Sequence, residues 1–294
     1  MLLSLCMPTN GITEWVLPAL DSVYDSGVDC SLFEVIVTDN GDNAEFKKLM
    51  HDYASKHSNL IYKETDAYMF DNQLEALKLA SGDYLKFMNH RAIWLPERLQ
   101  YMIDFLEEYK DDEAVIYFSN GVLGWGPNYN EYDNFNDFVA NLGVYGTWTT
   151  GVGIWKSQYE KVRENLTYGT ISPHAEILYA ERKAKKYVIN DKYWMKEVSD
   201  DATKKGKYDL YKAFSLDELI FTINLYRDGD ITAETLKKVK DSFRSFIIRC
   251  YQSYNLEKCP CSYDLDGFDK YVGIFFDKDE IKREAALNLE KISD

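Results

Sequence analysis

The sequence is poor in residues that stiffen or cross-link a chain. Its 294 residues include 6 prolines, 5 cysteines and 4 histidines. The cysteines are odd in number and scattered, which predicts reduced thiols rather than a disulfide framework. No run approaches the roughly 18 consecutive apolar residues that a membrane span requires. The apolar run over residues 2–7 follows no basic residues and ends at Pro8, so it predicts a buried strand rather than a signal peptide. We therefore expect a cytoplasmic protein.

Basic residues are also few compared with acidic ones. There are 34 Lys and Arg residues against 49 Asp and Glu, giving a formal net charge of −15. This balance argues against nucleic-acid binding, which needs a basic face to neutralise phosphates. With 46% hydrophobic and 15% aromatic residues the chain can bury a core, which excludes disorder. The 23 tyrosines and 6 tryptophans suit either sugar-ring contacts or ordinary core packing.

The first 110 residues alternate between strand and helix patterns. Short apolar or β-branched runs begin near residues 2, 33, 60 and 84, and amphipathic helical patterns lie between them, the first with Thr13 as its expected N-cap. Strands separated by helices predict a mostly parallel sheet with helices on both faces. Ligands of such sheets bind at the carboxyl ends of the strands.

The remaining chain is less regular. A loop-rich stretch is predicted over residues 121–146 and a helix over 177–184. From residue 204 the patterns are helical, with Ser215 and Glu218 forming a predicted capping box. We therefore expect an α/β domain over residues 1–203 and a helical domain over 204–294.

Polar residues follow three of the predicted strands. Pro8-Thr9-Asn10 follows the first strand, Asp39 ends the second, and Asn89-His90-Arg91 follows the fourth. An acid at such a strand end can accept hydrogen bonds from a ribose or a base, although Asp39 is equally consistent with a turn-forming residue.

These segments together resemble family 2 glycosyltransferases of the GT-A fold. The resemblance rests on Pro8-Thr9-Asn10, the strand ending at Asp39, the segment from Asn72 to Met88, and the Pro96-Glu97-Arg98-Leu99 that follows. It covers residues 2–100 well and the C-terminal helices not at all. It implies a nucleotide-diphosphate-sugar donor bound by Pro8, Thr9, Asn10, Asp39, Asn72, Asn89, His90 and Arg91.

The sequence departs from the family at the Asp-x-Asp motif, whose last carboxylate binds a divalent cation. Asn89, His90 and Arg91 occupy those positions. Arginine is always charged and cannot ligate a cation, so a Mg²⁺ or Mn²⁺ cofactor is not expected although the family uses one. Arg91 can instead supply positive charge to the donor diphosphate, with His90 adding a hydrogen-bond donor. The alternative is that Arg91 is tied up in a salt bridge.

An inverting transfer also needs a base for the acceptor hydroxyl. The matching family region places His174 and Glu176 there, and both stay candidates; residues two apart do not share a helix face. Trp125 and Trp148 are candidates for stacking on the acceptor or on a sugar, with packing into the core as the alternative. Asp71 and Asn120 are further polar candidates near strand ends.

The predicted function is transfer of a sugar to a hydroxyl of a glycan or lipid-linked glycan in polysaccharide or cell-envelope synthesis. The alternative is a non-catalytic protein that binds nucleotide sugars or a partner on the same fold. A nucleotidyltransferase is disfavoured, because Pro8-Thr9-Asn10-Gly11 lacks the glycine-rich basic loop expected after its first strand. The C-terminal helices can pack on the first domain, pair in a homo-oligomer, or hold the protein at the inner face of the membrane.

Overall fold

A computed structural model describes residues 1–126, 128–199 and 201–293. For residues 292 and 293 it describes the backbone alone. Its contacts divide the chain into two compact units. The first comprises Met1–Asn134 and Gly146–Ser199, and the second comprises Phe135–Tyr145 and Asp200–Asp294. The domain boundary predicted between residues 203 and 204 stays a prediction, and the contacts add the segment 135–145 to the C-terminal unit.

The described residues form ten strands and twelve α-helices. The strands are β1 (Leu3–Thr9), β2 (Phe33–Asp39), β3 (Leu60–Glu64), β4 (Tyr84–Phe87), β5 (Ala92–Trp94), β6 (Val115–Phe118), β7 (Tyr129–Tyr132), β8 (Gly153–Trp155), β9 (Tyr187–Asn190) and β10 (Met195–Glu197). The helices are α1 (Thr13–Tyr24), α2 (Ala44–Ala54), α3 (Asn72–Leu79), α4 (Arg98–Tyr109), α5 (Phe135–Leu142), α6 (Lys156–Val162), α7 (Pro173–Leu178), α8 (Leu210–Lys212), α9 (Glu218–Arg227), α10 (Ala233–Cys250), α11 (Gly273–Phe275) and α12 (Lys278–Ser293).

The main sheet of the first unit has the order β3-β2-β1-β4-β8. The first four of these strands are parallel and β8 is antiparallel to β4. Two smaller sheets join β10 to β5 and place β9 between β6 and β7. This architecture confirms the predicted α/β fold, because strands joined by helical crossovers pair in parallel.

The two faces of the main sheet are both covered. Alternate residues of β1 and β2, such as Leu5 and Val35, belong to a buried cluster that includes residues of α1, α2 and α4. The intervening residues point the other way, where α3 packs on β1 and β2. Leu74 and Leu77 of α3 are fully buried there. Burial on both faces explains why these strands read as continuous apolar runs.

Several local expectations were wrong. Thr13 begins α1 but does not cap it, since the N-cap is Ile12 without a side-chain hydrogen bond. The stretch 121–146 contains β7 and α5, and the helix predicted over 177–184 instead spans Pro173–Leu178. Pro173 suits that earlier start, because proline is tolerated in the first helical turn.

The second unit is helical, as predicted for its C-terminal segment. Apart from an isolated bridge between Asp209 and Asp264, residues 201–293 contain no strand. Ser215 is not an N-cap: it lies in a π-helical segment between α8 and α9, and its hydroxyl donates to the carbonyl of Tyr211. A turn-preferring hydroxyl can thus back-bond within a helix instead of starting one. In the part of the chain that is described, no helix is long and apolar enough to cross a membrane.

Candidate functional site

The carboxyl ends of β1 and β4 meet where the strand order of the main sheet reverses. The chain runs outward from β1 to β3 and then returns to β4 on the other side of β1. At this point the Thr9 hydroxyl and the His90 Nδ1 lie 2.8 Å apart. Reversal points of parallel sheets form crevices at the strand ends, which makes this the expected ligand position.

Asp39 is held at the end of β2, beside Thr9 in the strand register. Its carboxylate is fully buried and accepts hydrogen bonds from the backbone N–H of Gly41 at 2.8 Å and the Tyr62 hydroxyl at 2.9 Å. Burial raises the pKa of this carboxyl above its usual value. Gly41 allows the loop to fold closely, since a Cβ there would lie 2.2 Å from the Asn10 carbonyl oxygen.

The Asn72 side chain joins the ends of β1 and β2. Its side-chain amide donates to the backbone carbonyls of Thr9 and Thr38 at 3.1 and 2.8 Å, and its Oδ1 accepts from the Thr65 hydroxyl. Asn72 is 2% exposed, so its polar atoms are occupied by the ends of β1 and β2. Pro8 is partly buried, whereas Asn10 is exposed.

The first turn of α3 links this strand-end region to a second polar region. Asp71 accepts a hydrogen bond from the N–H of Gly169, and the Gln73 side chain lies 3.1 Å from the His174 Nδ1. Asn72 lies between these two residues. One helical turn therefore connects the candidate donor residues to the candidate base region.

Arg91 is buried and paired. Its guanidinium donates to a Glu197 carboxylate oxygen and to the Ser199 carbonyl at 3.1 Å, and it lies 5.2 Å above the Trp15 ring. The Arg91 side chain is 7% exposed and the Glu197 side chain 25%. Pairing of β5 with β10 brings the two residues together, because Glu197 lies opposite Ala92.

The Asn-His-Arg motif is packed as one unit. The Asn89 side-chain oxygen accepts from the Arg91 backbone N–H at 3.0 Å. The His90 ring contacts Trp15 edge-on at 5.2 Å. Burial, and then the Arg91 charge, lower the pKa of His90 to about 3, so the ring is neutral near pH 7.

These side chains do not fit a divalent cation. The Asn89 oxygen and the His90 Nδ1 are already hydrogen-bonded, and the Arg91 cation lies beside them. Mg²⁺ and Mn²⁺ prefer carboxylate and other oxygen ligands. Over the described residues, no group of three or more His, Cys, Asp or Glu side chains is arranged to hold a metal ion.

The two candidate bases differ in their surroundings. His174 is buried, with Nε2 2.7 Å from the Thr147 carbonyl oxygen and Nδ1 3.2 Å from the Thr149 hydroxyl. Burial lowers its pKa to about 4. Glu176 is partly exposed and accepts one hydrogen bond, from the N–H of Thr167 at 2.8 Å.

The two tryptophan candidates lie in different settings. Trp148 is partly buried and packs against the main apolar core. Trp125 is partly exposed, and its backbone N–H donates to the buried carboxylate of Asp191 at 2.7 Å. Asn120 bridges to the backbone of Trp194 and Met195, which is a structural role.

The structure thus brings five of the predicted residues together at the strand ends, and α3 links them to His174. These five are Thr9, Asp39, Asn72, His90 and Arg91. Three partners of these residues were not expected from the sequence. They are Tyr62, which contacts Asp39, and Trp15 and Glu197, which contact Arg91. Tyr62 could have been sought on the neighbouring strand β3, where it lies two residues before Glu64, the register partner of Asp39. No spacing signal marks Glu197, which is 106 residues from Arg91.

A doubly wound sheet with polar residues collected at its strand-order reversal defines a nucleotide-binding type of α/β protein. The sequence profile described as glycosyl transferase family 2 matches residues 4–162, more than half of the chain. The chain therefore belongs to glycosyl transferase family 2.

Solved structures agree on the fold. A crystal structure of TarS residues 1–349 from S. aureus aligns with a TM-score of 0.58 and 16% identity, over 92% of this chain and 75% of that one. The mannosyltransferase PcManGT from Pyrobaculum calidifontis, in complex with GDP-Man and Mn²⁺, aligns with a TM-score of 0.56 and 13% identity, over 85% and 75%. A comparison with curated protein sequences found no match. The predicted GT-A fold is confirmed.

Proposed function

We propose that the protein transfers a sugar from a nucleotide-diphosphate sugar to a hydroxyl group of a glycan or lipid-linked glycan, with inversion. Family membership supports glycosyl transfer. The observation that carries the donor assignment is the cluster at the ends of β1, β2 and β4, where Thr9, Asp39 and His90 are held together. TarS has also been crystallised with UDP-GlcNAc on the same fold.

In the proposed reaction Asp39 and Thr9 bind the nucleoside. The Asp39 carboxylate keeps acceptor capacity for a base N–H or ribose hydroxyl, since each of its oxygens has two lone pairs and accepts one hydrogen bond, from Gly41 or from Tyr62. Asn72 acts indirectly by fixing the ends of β1 and β2 around the ligand. Pro8, Asn10 and Asn89 contribute the adjoining backbone.

Arg91 supplies the positive charge that a divalent cation gives to the donor diphosphate in related enzymes. As the nucleotide leaves, negative charge grows on its phosphates, and a fixed guanidinium nearby stabilises that charge. His90 is neutral near pH 7 and adds a hydrogen-bonding ring beside it. The reaction we propose is therefore independent of metal.

Glu176 is the base we favour. A general base must have a free lone pair within reach of the acceptor hydroxyl. Glu176 is partly exposed and accepts a hydrogen bond from the Thr167 N–H through one of its two oxygens, whereas both nitrogens of His174 face groups of the protein itself. We assign His174 to positioning, and Trp125 and Trp148 to contacts with the acceptor or the sugar.

One observation favours a non-catalytic alternative. The buried ion pair with Glu197 leaves Arg91 partly neutralised, which suits a protein that binds a nucleotide sugar without transferring the sugar. The test is a panel of nucleotide sugars offered with and without EDTA, following thermal shift and nucleotide release. Turnover that EDTA leaves unchanged supports the proposed reaction. Binding without turnover of any donor supports the alternative, and EDTA inhibition reversed by Mn²⁺ contradicts the role of Arg91.

A further inference from the structure

Lys86 is a fully buried lysine in the middle of β4. Its side chain is 0% exposed and lies on the same face of the sheet as Tyr84. The ammonium group lies 5.3 Å from the Trp194 ring centre and 5.6 Å from that of Phe118. Among the described residues no carboxylate pairs with it. A buried lysine without an acid partner is costly and calls for compensating hydrogen bonds.

Those hydrogen bonds go to backbone carbonyls. Lys86 Nζ donates to Phe87 O at 3.0 Å, to Val152 O at 3.4 Å and, at closer range, to Thr150 O. An ammonium group has three donors, and three carbonyl oxygens surround it. Two of these carbonyls, those of Thr150 and Val152, belong to residues 147–152 between α5 and β8. We call these residues the 147–152 segment.

The 147–152 segment is held from its other end by His174. The His174 Nε2 lies 2.7 Å from Thr147 O, and its Nδ1 is 3.2 Å from the Thr149 hydroxyl. Trp148 lies between those two residues. Side chains from β4 and α7 thus bind successive parts of one short segment.

Packing leaves this segment little room. A Cβ on Gly151 would lie 2.3 Å from the Tyr117 ring, and one on Gly153, just beyond the segment, 2.5 Å from the Tyr84 ring. Thr150 is fully buried, and within the described part of the chain its hydroxyl has no hydrogen-bond partner. Thr150 is therefore held through its backbone, whose carbonyl oxygen accepts a hydrogen bond from Lys86 Nζ.

We propose that Lys86 is a positioning residue for sugar transfer: its buried ammonium group fixes the 147–152 segment, and through it Trp148 and His174. This inference rests on the proposed function, which assigns acceptor or sugar contacts to Trp148. Lys86 contacts neither substrate nor the reacting atoms in this scheme. It acts by keeping the acceptor side in one conformation.

The number of donors on Lys86 changes near neutral pH. Burial lowers the pKa of its ammonium group to about 7. Among the described residues the titratable neighbour is the Cys6 thiol of β1, and burial raises the pKa of that thiol, so it is uncharged near pH 7. The other side chains facing Nζ, Phe118 and Trp194, do not titrate. Loss of the proton leaves two donors for three carbonyls, so the segment is held less firmly as pH rises.

Two substitutions separate the hydrogen bonds from the charge. Lys86→Met removes all donors at similar length, and Lys86→Gln keeps an uncharged N–H₂ group. Lys186→Met is the matched control, because that lysine pairs with Glu131 at the surface of the same unit. Each variant is measured for acceptor transfer and donor hydrolysis between pH 6 and 8.5, and for hydrogen exchange of the peptide covering residues 147–152.

We expect Lys86→Met to lower kcat/KM for transfer about tenfold at pH 6.5, with the donor KM within about twofold of wild type. Lys86→Gln should recover most of that loss and lack the decline in transfer above pH 7 that we expect of the wild type. Hydrogen exchange of the 147–152 peptide should quicken in Lys86→Met and stay unchanged in Lys186→Met.

Unchanged exchange and an unchanged pH profile in both Lys86 variants would overturn the proposal. Circular dichroism checks that Lys86→Met folds. If it does not fold, the hydrogen exchange and the pH profile of Lys86→Gln provide the test. Failure of the proposed function gives a different result, because the wild-type protein then turns over no donor. The hydrogen-exchange experiment still tests whether Lys86 holds the 147–152 segment. Faster exchange with wild-type transfer at every pH would also overturn it, since Lys86 would then serve the fold alone.

Discussion

Arg91 shows how one residue can take either of two roles. Its position matches a metal-binding carboxylate of the family, and its guanidinium meets Glu197 and Trp15. Water screens the partly exposed Glu197 carboxylate more than the buried Arg91 guanidinium, so Glu197 neutralises Arg91 only in part. The ion pair is therefore compatible with a charge that acts on a diphosphate.

The first prediction concerns this pair. Arg91→Ala should lower kcat about 100-fold, since a preorganised cation facing developing charge is lost. Glu197→Gln should instead tighten binding of the nucleoside diphosphate, because it removes a competing anion while keeping a hydrogen-bond acceptor. Isothermal titration and steady-state kinetics in EDTA check both effects. Equal loss of nucleotide affinity in the two variants would contradict the competition.

The second prediction separates the candidate bases. Glu176→Gln should reduce kcat for transfer by at least about 100-fold and leave the donor KM unchanged, as expected for loss of a general base. His174→Asn should cost much less, since its amide keeps a polar group facing Thr149 and Gln73, the partners of His174 Nδ1. Transfer at the wild-type rate in Glu176→Gln would remove this residue from the mechanism.

At the scale of elements, the strand ends are joined by one side chain. Asn72, at the start of α3, ties β1 to β2 through Thr9 O and Thr38 O, and to the segment after β3 through Thr65. Helix starts commonly carry Asn for capping, but here the amide braces the sheet. The bracing fixes the distance between Thr9 and Asp39.

The third prediction follows from that bracing. Asn72→Ala should lower the free energy of unfolding by about 2–3 kcal/mol, because it leaves buried carbonyls unpaired. The exposed Asn10 is a control, and Asn10→Ala should change stability by less than about 0.5 kcal/mol. Urea denaturation measures both. A cost below about 1 kcal/mol for Asn72→Ala would show that the backbone holds the strand ends unaided.

At the scale of the whole molecule, buried bases shape the pH dependence of stability. Lys86 has a pKa of about 7 when folded and an ordinary higher value when unfolded. His174 has a folded pKa of about 4 against an ordinary value of 6.5. In both cases the unfolded chain binds more protons between the two values, so stability rises with pH through that window.

The fourth prediction compares the pH dependence of stability in the wild type with that in the Lys86→Met and His174→Asn variants. Between pH 7 and 9 the stability of the wild type should rise relative to Lys86→Met, by up to about 1.4 kcal/mol per pH unit. Between pH 6.5 and 4 it should fall relative to His174→Asn. Urea midpoints at each pH give both slopes. Parallel curves for wild type and Lys86→Met would mean that Lys86 keeps its proton through this range.

Much of the sheet could be predicted from local pattern. The four parallel strands begin within a residue or two of their apolar runs, because side chains buried on both faces must be apolar. Ser215 shows where local pattern fails: its capping sequence is compatible with a helix start, yet the chain continues as one helix through a π segment. Tertiary packing against α10 outweighs a local preference worth about 1 kcal/mol.

The sequence by itself determined the fold class and the family, and it predicted the position of the candidate site, since polar residues follow the apolar runs that form the parallel strands. Only the tertiary structure decided what each polar residue contacts. Glu197 reaches Arg91 and His174 reaches the 147–152 segment through pairings of distant segments. Such contacts leave no periodic signal, because periodicity records which side of an element is buried and not which partner it meets.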